Sequence, residues 1–568
     1  MPNSTFTAID YAVLIGSLMV PVSIGTYYAW LDRKRTTNRE FLIASRQMGW
    51  FPVSLSMVAS FLSATSMLGL PSEVFVRGSV LWIGSICACI AIVVAAFVFL
   101  PVYYNMDLTS INEYLERRFS STAVRNLASA LFIIQTLLYM GIVLYGPSLA
   151  LGSVTGLPVW SAILLNGFVC TFYTAAGGMK AVVWTDTVQM ALIYTGYIMV
   201  IAAGVHHSGG FNAIWRTARD GGRLVFVNFS VSPYETYTTW NCIIAGTLNW
   251  LAIYCASQTQ IQRYSSISSL KHSRWALLMN IPGVALVYIL SVLSGLILYV
   301  VYHDCDPRLT GDIYKADELM PHAVQTVLQG YPGLAGLFVA AVFSGSLSTL
   351  SSGYSALAAL TWDDFVRPRV NISDVAALRL SRCIAAAYGL LSISVAFLAG
   401  SMESIVHATV SLQGALYGPL VALFALGMFA PCCKKKGALT GTILAVGTSV
   451  WLVMGGIVYP RRWDALPTST AGCSNFSETV TSGYNVSAMT PRGLFRFYHI
   501  SFMWVIPVGF LVHVIVSLVV STIFERNTSE HVDPKYVWPF VRSCMMKPTP
   551  RMPGKEDVLM EPLSKLSE

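Results

Sequence analysis

Charge is what this chain most lacks. Of its 568 residues only 11% are Asp, Glu, Lys or Arg, against about 25% in soluble domains. Hydrophobic residues make up 55%, and mean hydropathy is +0.60. A cytosolic enzyme, a secreted disulfide scaffold and a nucleic-acid-binding domain are excluded on that ground. The 11 Cys form no CxxC, so neither a zinc nor a redox site is indicated. GxxxxGK[ST], HExxH and TVGYG are absent, as is any pair of intramembrane Asp. Those absences speak against a nucleotide-driven pump, a protease, a potassium-type filter and an enzyme generally.

What is present is a series of long apolar runs. Thirteen segments stand out, at 10–30, 51–71, 81–104, 126–152, 159–176, 184–205, 239–257, 276–302, 333–360, 383–400, 405–430, 438–459 and 499–523. About 20 apolar residues cross one bilayer. Lipid-exposed backbone must satisfy its own hydrogen bonds, so these segments read as helices of an all-α integral membrane protein. Residues 1–30 have no basic start and open the apolar run with Asp10, so the first segment reads as a retained span.

Lys and Arg set the expected orientation. With the N-terminus outside, 26 of the 36 basic residues fall in inside segments and no basic residue falls within a span. N-terminus outside and C-terminus inside also requires an odd number of spans. The net charge of +8 is therefore mainly a topology signal. The sequons at Asn228, Asn475 and Asn485 fall in expected outside loops and are candidate glycosylation sites; Asn3 is also outside, Asn371 and Asn527 inside. Cys305 and Cys473 lie in two outside loops and are either free thiols or, in an oxidising compartment, a bridge. Residues 524–568 are Pro-rich and mixed in charge, and read as a disordered cytoplasmic tail.

Two spans differ from the rest. SLSMVASFLSATSMLGLPS (54–72) and FSGSLSTLSSGYSA (343–356) are crowded with hydroxyls and carry Gly, with seven Ser/Thr from Ser344 to Ser355. Membrane Ser and Thr often bond back to their own helix or allow close packing. Clustered hydroxyls with freed carbonyls also make hard oxygen ligands for a cation, as in transporters with broken helices. The seventh segment is breakable too, with Ala245-Gly246-Thr247 and a polar run at 257–264. Asp186 opens the sixth segment, either as a helix cap or as an attractor for a departing cation, with Gln189 one turn on.

TFYTAAGGMKAVVWTDTVQ (171–189) resembles the signature of the sodium/solute symporter family, and LPVYYNMDLTSINEYLERRF (100–119) resembles a second stretch of it. ASFLSATSMLGLPSEVFVRG (59–78), ASQTQIQRYSS (256–266), SGSLSTLSSGYSALAALTWDDFVRP (344–368) and GPLVALFALGMFAP (418–431) are similar to its animal branch of monocarboxylate, multivitamin and iodide transporters. The resemblance implies a LeuT-like core of five-plus-five inverted repeats among about 13 helices. Residues 1–50 would hold the extracellular N-terminus, the first helix and a basic loop. The repeats would be 51–205 and 239–430, separated by an extracellular loop at 206–238. Residues 431–523 would add two helices around a glycosylatable loop at 460–498, before the tail.

Carried over by motif, a sodium site would use the carbonyls of Ala59, Leu62 and Gly345 and the hydroxyls of Ser348 and Thr349. Asp186 and Gln189 would lie on the sodium exit path. Substrate would sit against Ser63, Ser66, Tyr145 and Trp250. Sodium would be co-transported, with no organic cofactor and no nucleic-acid partner, in the plasma membrane. With no basic residue in a span, an anion's charge would be offset by half-helix ends and co-bound sodium. Ser66, small where relatives differ, favours a small monocarboxylate such as lactate, nicotinate or a short-chain fatty acid. Biotin or pantothenate comes next, then iodide. A transport-inactive sensor and a sodium-independent facilitator are the readings from other classes.

Overall fold

A chain with so few charges can bury its backbone in lipid only as closed helices, and helices are what form. The structure, a computed structural model, describes residues 6–31, 37–328, 330–400, 404–459, 464–473, 493–525 and 532–545. The principal helices are α1 (Ala8–Leu31), α2 (Trp50–Ala59), α3 (Leu70–Arg77), α4 (Ser79–Asn105), α5 (Thr122–Thr155), α6 (Val159–His207) and α7 (Thr239–Ala256). They are followed by α8 (Gln258–Ser265), α9 (Leu270–Tyr302), α10 (Leu334–Val366), α11 (Asp374–Ala399), α12 (Ile405–Phe429), α13 (Lys435–Val458) and α14 (Phe502–Phe524). Among the described residues ten helices are long and apolar enough to cross a membrane.

The ten account for eleven passes. At 49 residues α6 would be roughly 74 Å long, over twice the thickness of a hydrocarbon core. It is interrupted at Gly178, whose backbone (φ 62°, ψ −162°) lies outside the helical region. A side chain there would also sit 2.5 Å from the Phe41 ring. Two interrupted helices supply the remaining passes, α2 with α3 and α7 with α8, so thirteen are reached.

The first interruption runs from Ser60 to Ser63, and a wider helical turn over Thr65–Gly69 then leads into α3. The second is one extended residue, Ser257 (φ −101°, ψ 129°). It falls at the first residue of the polar run 257–264 and not at Gly246, the other weak point, which takes a packing role: a Cβ there would meet Cys87 Sγ at 3.1 Å. The most deeply buried helix is α10, packed chiefly on α6 and α5. It therefore passes directly behind the break between α2 and α3.

Asp10 does more than open α1. Its carboxylate accepts the Gly336 amide at 2.8 Å and so ties α1 to the start of α10. At one face of the bundle Cys305 and Cys473 are joined in a disulfide. The strap 464–473 is stitched nearby. Leu466 N donates to Val76 O at 2.8 Å, and Arg77 reaches Asp464 O.

Expected disorder throughout 524–568 does not hold for 532–545. Val537 is buried and Trp538 N donates to Met428 O at 3.2 Å, because two apolar side chains find the end of α12. Residues 546–568 lie outside the described residues, as do Asn3, Asn475, Asn485 and Asn527. Asn228 is half-buried. Its amide nitrogen donates to Glu235 (2.9 Å) and to Tyr237 O (3.1 Å), so a glycan on that nitrogen would have to displace a hydrogen bond.

Candidate functional site

The break after α2 leaves backbone carbonyls without helical partners, and α10 supplies hydroxyls to meet them. Ser348 Oγ donates to Ala59 O at 2.8 Å and lies 3.0 Å from Gly345 O. Thr349 Oγ1 lies 3.1 Å from Ser60 O and 3.0 Å from Gly345 O. A Cβ on Gly345 would lie 2.7 Å from Leu62 O, so only glycine admits that carbonyl. Ala59, Leu62, Gly345, Ser348 and Thr349 are thus gathered at one point. The Ser60 carbonyl joins them; its place inside the break is the signal that could have added it. Among the described residues no cluster of three His, Cys, Asp or Glu is poised for a metal ion. The chemistry on offer is neutral oxygen.

Beneath this group lies a buried ion pair. Asp186 is wholly buried and Arg263 is 1% exposed. Arg263 Nη2 is 3.0 Å from Asp186 Oδ2, which also accepts the Ser56 hydroxyl at 2.6 Å. The same guanidinium donates to Ser60 Oγ and Ser352 Oγ. Ser352 Oγ in turn donates to Ser348 O at 2.7 Å. The ion pair and the hydroxyl group are therefore joined through two serines. Asp186 is no helix cap, since α6 continues on both sides of it. Gln189 is buried with no partner for either amide atom.

Arg263 corrects one expectation. The seventh span scores as apolar only to residue 257, which places Arg263 in a loop. The extended Ser257 instead starts a second, polar helix that runs back into protein and carries the guanidinium inside. A buried cation is present, already matched to Asp186.

Against the break lies a cavity of about 180 Å³, whose wall includes Ser60, Leu62 and Thr349 of the oxygen cluster. Ser63, Ser66 and Trp250 line it; Tyr145 does not. Tyr145 instead accepts a hydrogen bond from Lys315 Nζ at 3.1 Å, and that ammonium also bonds Gly400 O at 2.7 Å. Tyr139, one and a half turns earlier on α5, takes the cavity position, with its hydroxyl 3.4 Å from Ser63 Oγ. Sequence reading also missed Asn249, Thr409 and Gln413. Polar residues on otherwise apolar α7 and α12 were the available signal. Among the described residues, no Asp, Glu, Lys, Arg or His lines the cavity.

One wall is aromatic. Phe61 meets Trp250 edge-on at 5.7 Å, and Trp250 stacks on Tyr254 at 5.8 Å. Elsewhere the lining mixes aliphatic side chains such as Val284, Val287, Val406 and Val410 with hydroxyls and amides such as Ser63, Thr65, Thr409 and Gln413. The volume exceeds by a little the roughly 150 Å³ cavity that holds one benzene ring.

Comparison with known proteins places these features in context. The profile of the Sodium:solute symporter family matches residues 41–445. The chain is 40% identical over 551 residues to the human protein "Sodium-coupled monocarboxylate transporter 1", covering 94% of this chain and 90% of that one. It is 38% identical over 518 residues to a Drosophila melanogaster protein designated a candidate sodium-dependent multivitamin transporter, covering 90% and 85%. Among solved structures it is similar to the substrate-bound outward-open state of a Na+-coupled sialic acid symporter. The TM-score is 0.75 at 21% identity, covering 91% of this chain and 98% of that one. That last likeness is one of fold.

Proposed function

The chain belongs to the sodium:solute symporter family, and from that premise we propose that it imports a small monocarboxylate together with sodium by alternating access. It moves solutes across a membrane rather than transforming them. The observation that carries the reading is the adjacency of two sites on one broken helix. Oxygens suited to sodium gather at the break, and they border a cavity that, among the described residues, no charged side chain lines.

Sodium would be held by the carbonyls of Ala59, Leu62 and Gly345 and by the Ser348 and Thr349 hydroxyls. Each hydroxyl would turn from donating to a carbonyl to offering a lone pair to the ion. The inner half-helix α2 points its carbonyl end at this site. The outer half begins with its amide end at the cavity, where partial positive charge suits a carboxylate. Asp186 and Gln189 would border the path by which sodium leaves, closed in this state by Arg263. The repeats would be α2 to α6 and α7 to α12. Excess Lys and Arg support a cytoplasmic C-terminus and Asp186 side, and the Cys305–Cys473 bridge is what an outside face would carry.

Cavity size favours a short-chain or single-ring acid over a bicyclic vitamin with a long side chain. The Drosophila relative is the observation that keeps the multivitamin reading as second. If more than one sodium accompanies each anion, membrane potential contributes about 2.3 kcal/mol per net charge per 100 mV.

The test is uptake of labelled lactate, nicotinate, biotin and iodide in expressing cells, in sodium and with choline in its place. Sodium-dependent lactate or nicotinate uptake, lost in Ser348→Ala/Thr349→Ala, is expected. Biotin uptake alone would install the second reading. Flux indifferent to sodium would overturn both.

A further inference from the structure

Three buried polar atoms with no hydrogen-bond partner among the described residues belong to residues on the wall of the central cavity. They are Thr65 Oγ1, Asn249 Oδ1 and Thr409 Oγ1. They come from three separate elements: the turn that opens the outer half-helix, α7 and α12. Buried polar atoms are nearly always paired, because an unpaired one forfeits its hydration for nothing. Three on one small cavity mark the wall that a ligand completes.

Their placement has an order. Thr65 and α12 meet at Gly69: a Cβ built there would lie 3.6 Å from Thr65 Cγ2 and 2.5 Å from Val406 Cγ2. Thr409 is one turn beyond Val406 on the same helix. The two threonines therefore share the end of the cavity where the outer half-helix begins. Asn249 precedes Trp250 on α7 and stands at the edge of the aromatic wall. An amide offers both a donor and an acceptor.

Building on the carboxylate reading above, we propose that the Thr65 and Thr409 hydroxyls receive the substrate's carboxylate, and that Asn249 recognises a second polar group beside it. Such a group is a 2-hydroxyl, which can donate to the Asn249 Oδ1 acceptor. The hydrocarbon part packs on Phe61, Trp250 and Ile253. The cavity then selects hydroxylated short acids over plain ones, because the Asn249 Oδ1 acceptor is left unpaired by a substrate that lacks the hydroxyl.

Lactate and propionate differ by that one hydroxyl and form the test pair. Sodium-dependent uptake of each is measured for the full-length wild type, Thr65→Val, Thr409→Val and Asn249→Leu. Sodium-evoked charge movement without substrate counts the folded transporters at the surface. Both valine variants are expected to raise the KM of lactate and propionate together, by about tenfold, with the sodium half-saturation unchanged. Thr65→Ser and Thr409→Ser should restore the wild-type KM. Asn249→Leu should raise the lactate KM about tenfold relative to that of propionate, with sodium-evoked charge movement reporting its folding. A lactate-to-propionate ratio unmoved by Asn249→Leu, or KM values unmoved by both valine variants, overturns the assignment. A wild type that takes up neither acid with sodium is a different failure: it removes the carboxylate reading, and this assignment with it.

Discussion

Replacing Asp186 by Asn tests whether the buried ion pair works as the floor of the sodium site. The charges are 3.0 Å apart and both residues are buried. At an effective dielectric of 20 their attraction is about 5.5 kcal/mol, offset in large part by the cost of stripping water from both. Asn keeps the shape but removes the charge and leaves the guanidinium buried on serine hydroxyls alone. Breaking one side of such a pair costs about 3–5 kcal/mol. Arg263→Gln should cost a similar amount, while the double variant strands no charge and should recover about 2 kcal/mol of the summed loss. The assay is unfolding of the purified protein in detergent, wild type and three variants, without sodium. Single effects that add to the double within about 0.5 kcal/mol would refute the coupling. Because Ser60 and Ser352 link the pair to the Ser348 group, Asp186→Asn should also raise the sodium half-saturation. An unchanged value would detach the pair from the ion site.

Three further expectations follow from the same geometry. Ser348→Ala and Thr349→Ala should each raise the sodium half-saturation about tenfold and leave the substrate KM at saturating sodium near wild type; Gly345→Ala, with its Cβ 2.7 Å from Leu62 O, should abolish sodium-dependent uptake. Burial in the segment before α10 pushes the Asp317 carboxyl up to about 7, even though it accepts the Ile405 amide. An unfolded Asp titrates near pH 3.9, so between about pH 4 and 7 the folded state holds a proton that the unfolded state has released. Stability should then fall as pH rises through that window; Tm measured from pH 5 to 7.5 should decline and Asp317→Asn should flatten the slope, whereas a flat wild-type curve would sink the idea. Cys305→Ser should cost about 2–4 kcal/mol, since it frees the strap that bonds Val76 and Arg77 at the end of the outer half-helix; a Tm indifferent to reductant would contradict it.

Some of the site was legible before any fold was known, and particular residues show why. Ala59, Leu62, Gly345, Ser348 and Thr349 were reachable because hydroxyl crowding in two spans is local, and because their motifs resemble a known family. Tyr145 was misplaced although its segment matched. Which face of α5 meets the cavity depends on the packing of neighbouring helices, and Tyr139 has that face. Asn249, Thr409 and Gln413 stood among other polar residues of largely apolar helices, such as Thr247, His407 and Ser411, with nothing local to say which of them share a wall.

Composition and the spacing of apolar runs by themselves determined a multi-pass helical protein, its thirteen crossings and the oxygen-rich stretch that can hold a cation. Lipid makes these local properties decisive, since every span must close its own hydrogen bonds. Only the tertiary structure decided which of the two weak points of α7 breaks, that Arg263 turns inward to meet Asp186, and which residues of the cavity wall keep an unpaired polar atom. Those outcomes depend on contacts between residues dozens to more than two hundred positions apart. Whether such a group is paired, stranded or turned to a ligand is set by the partner that packing brings to it.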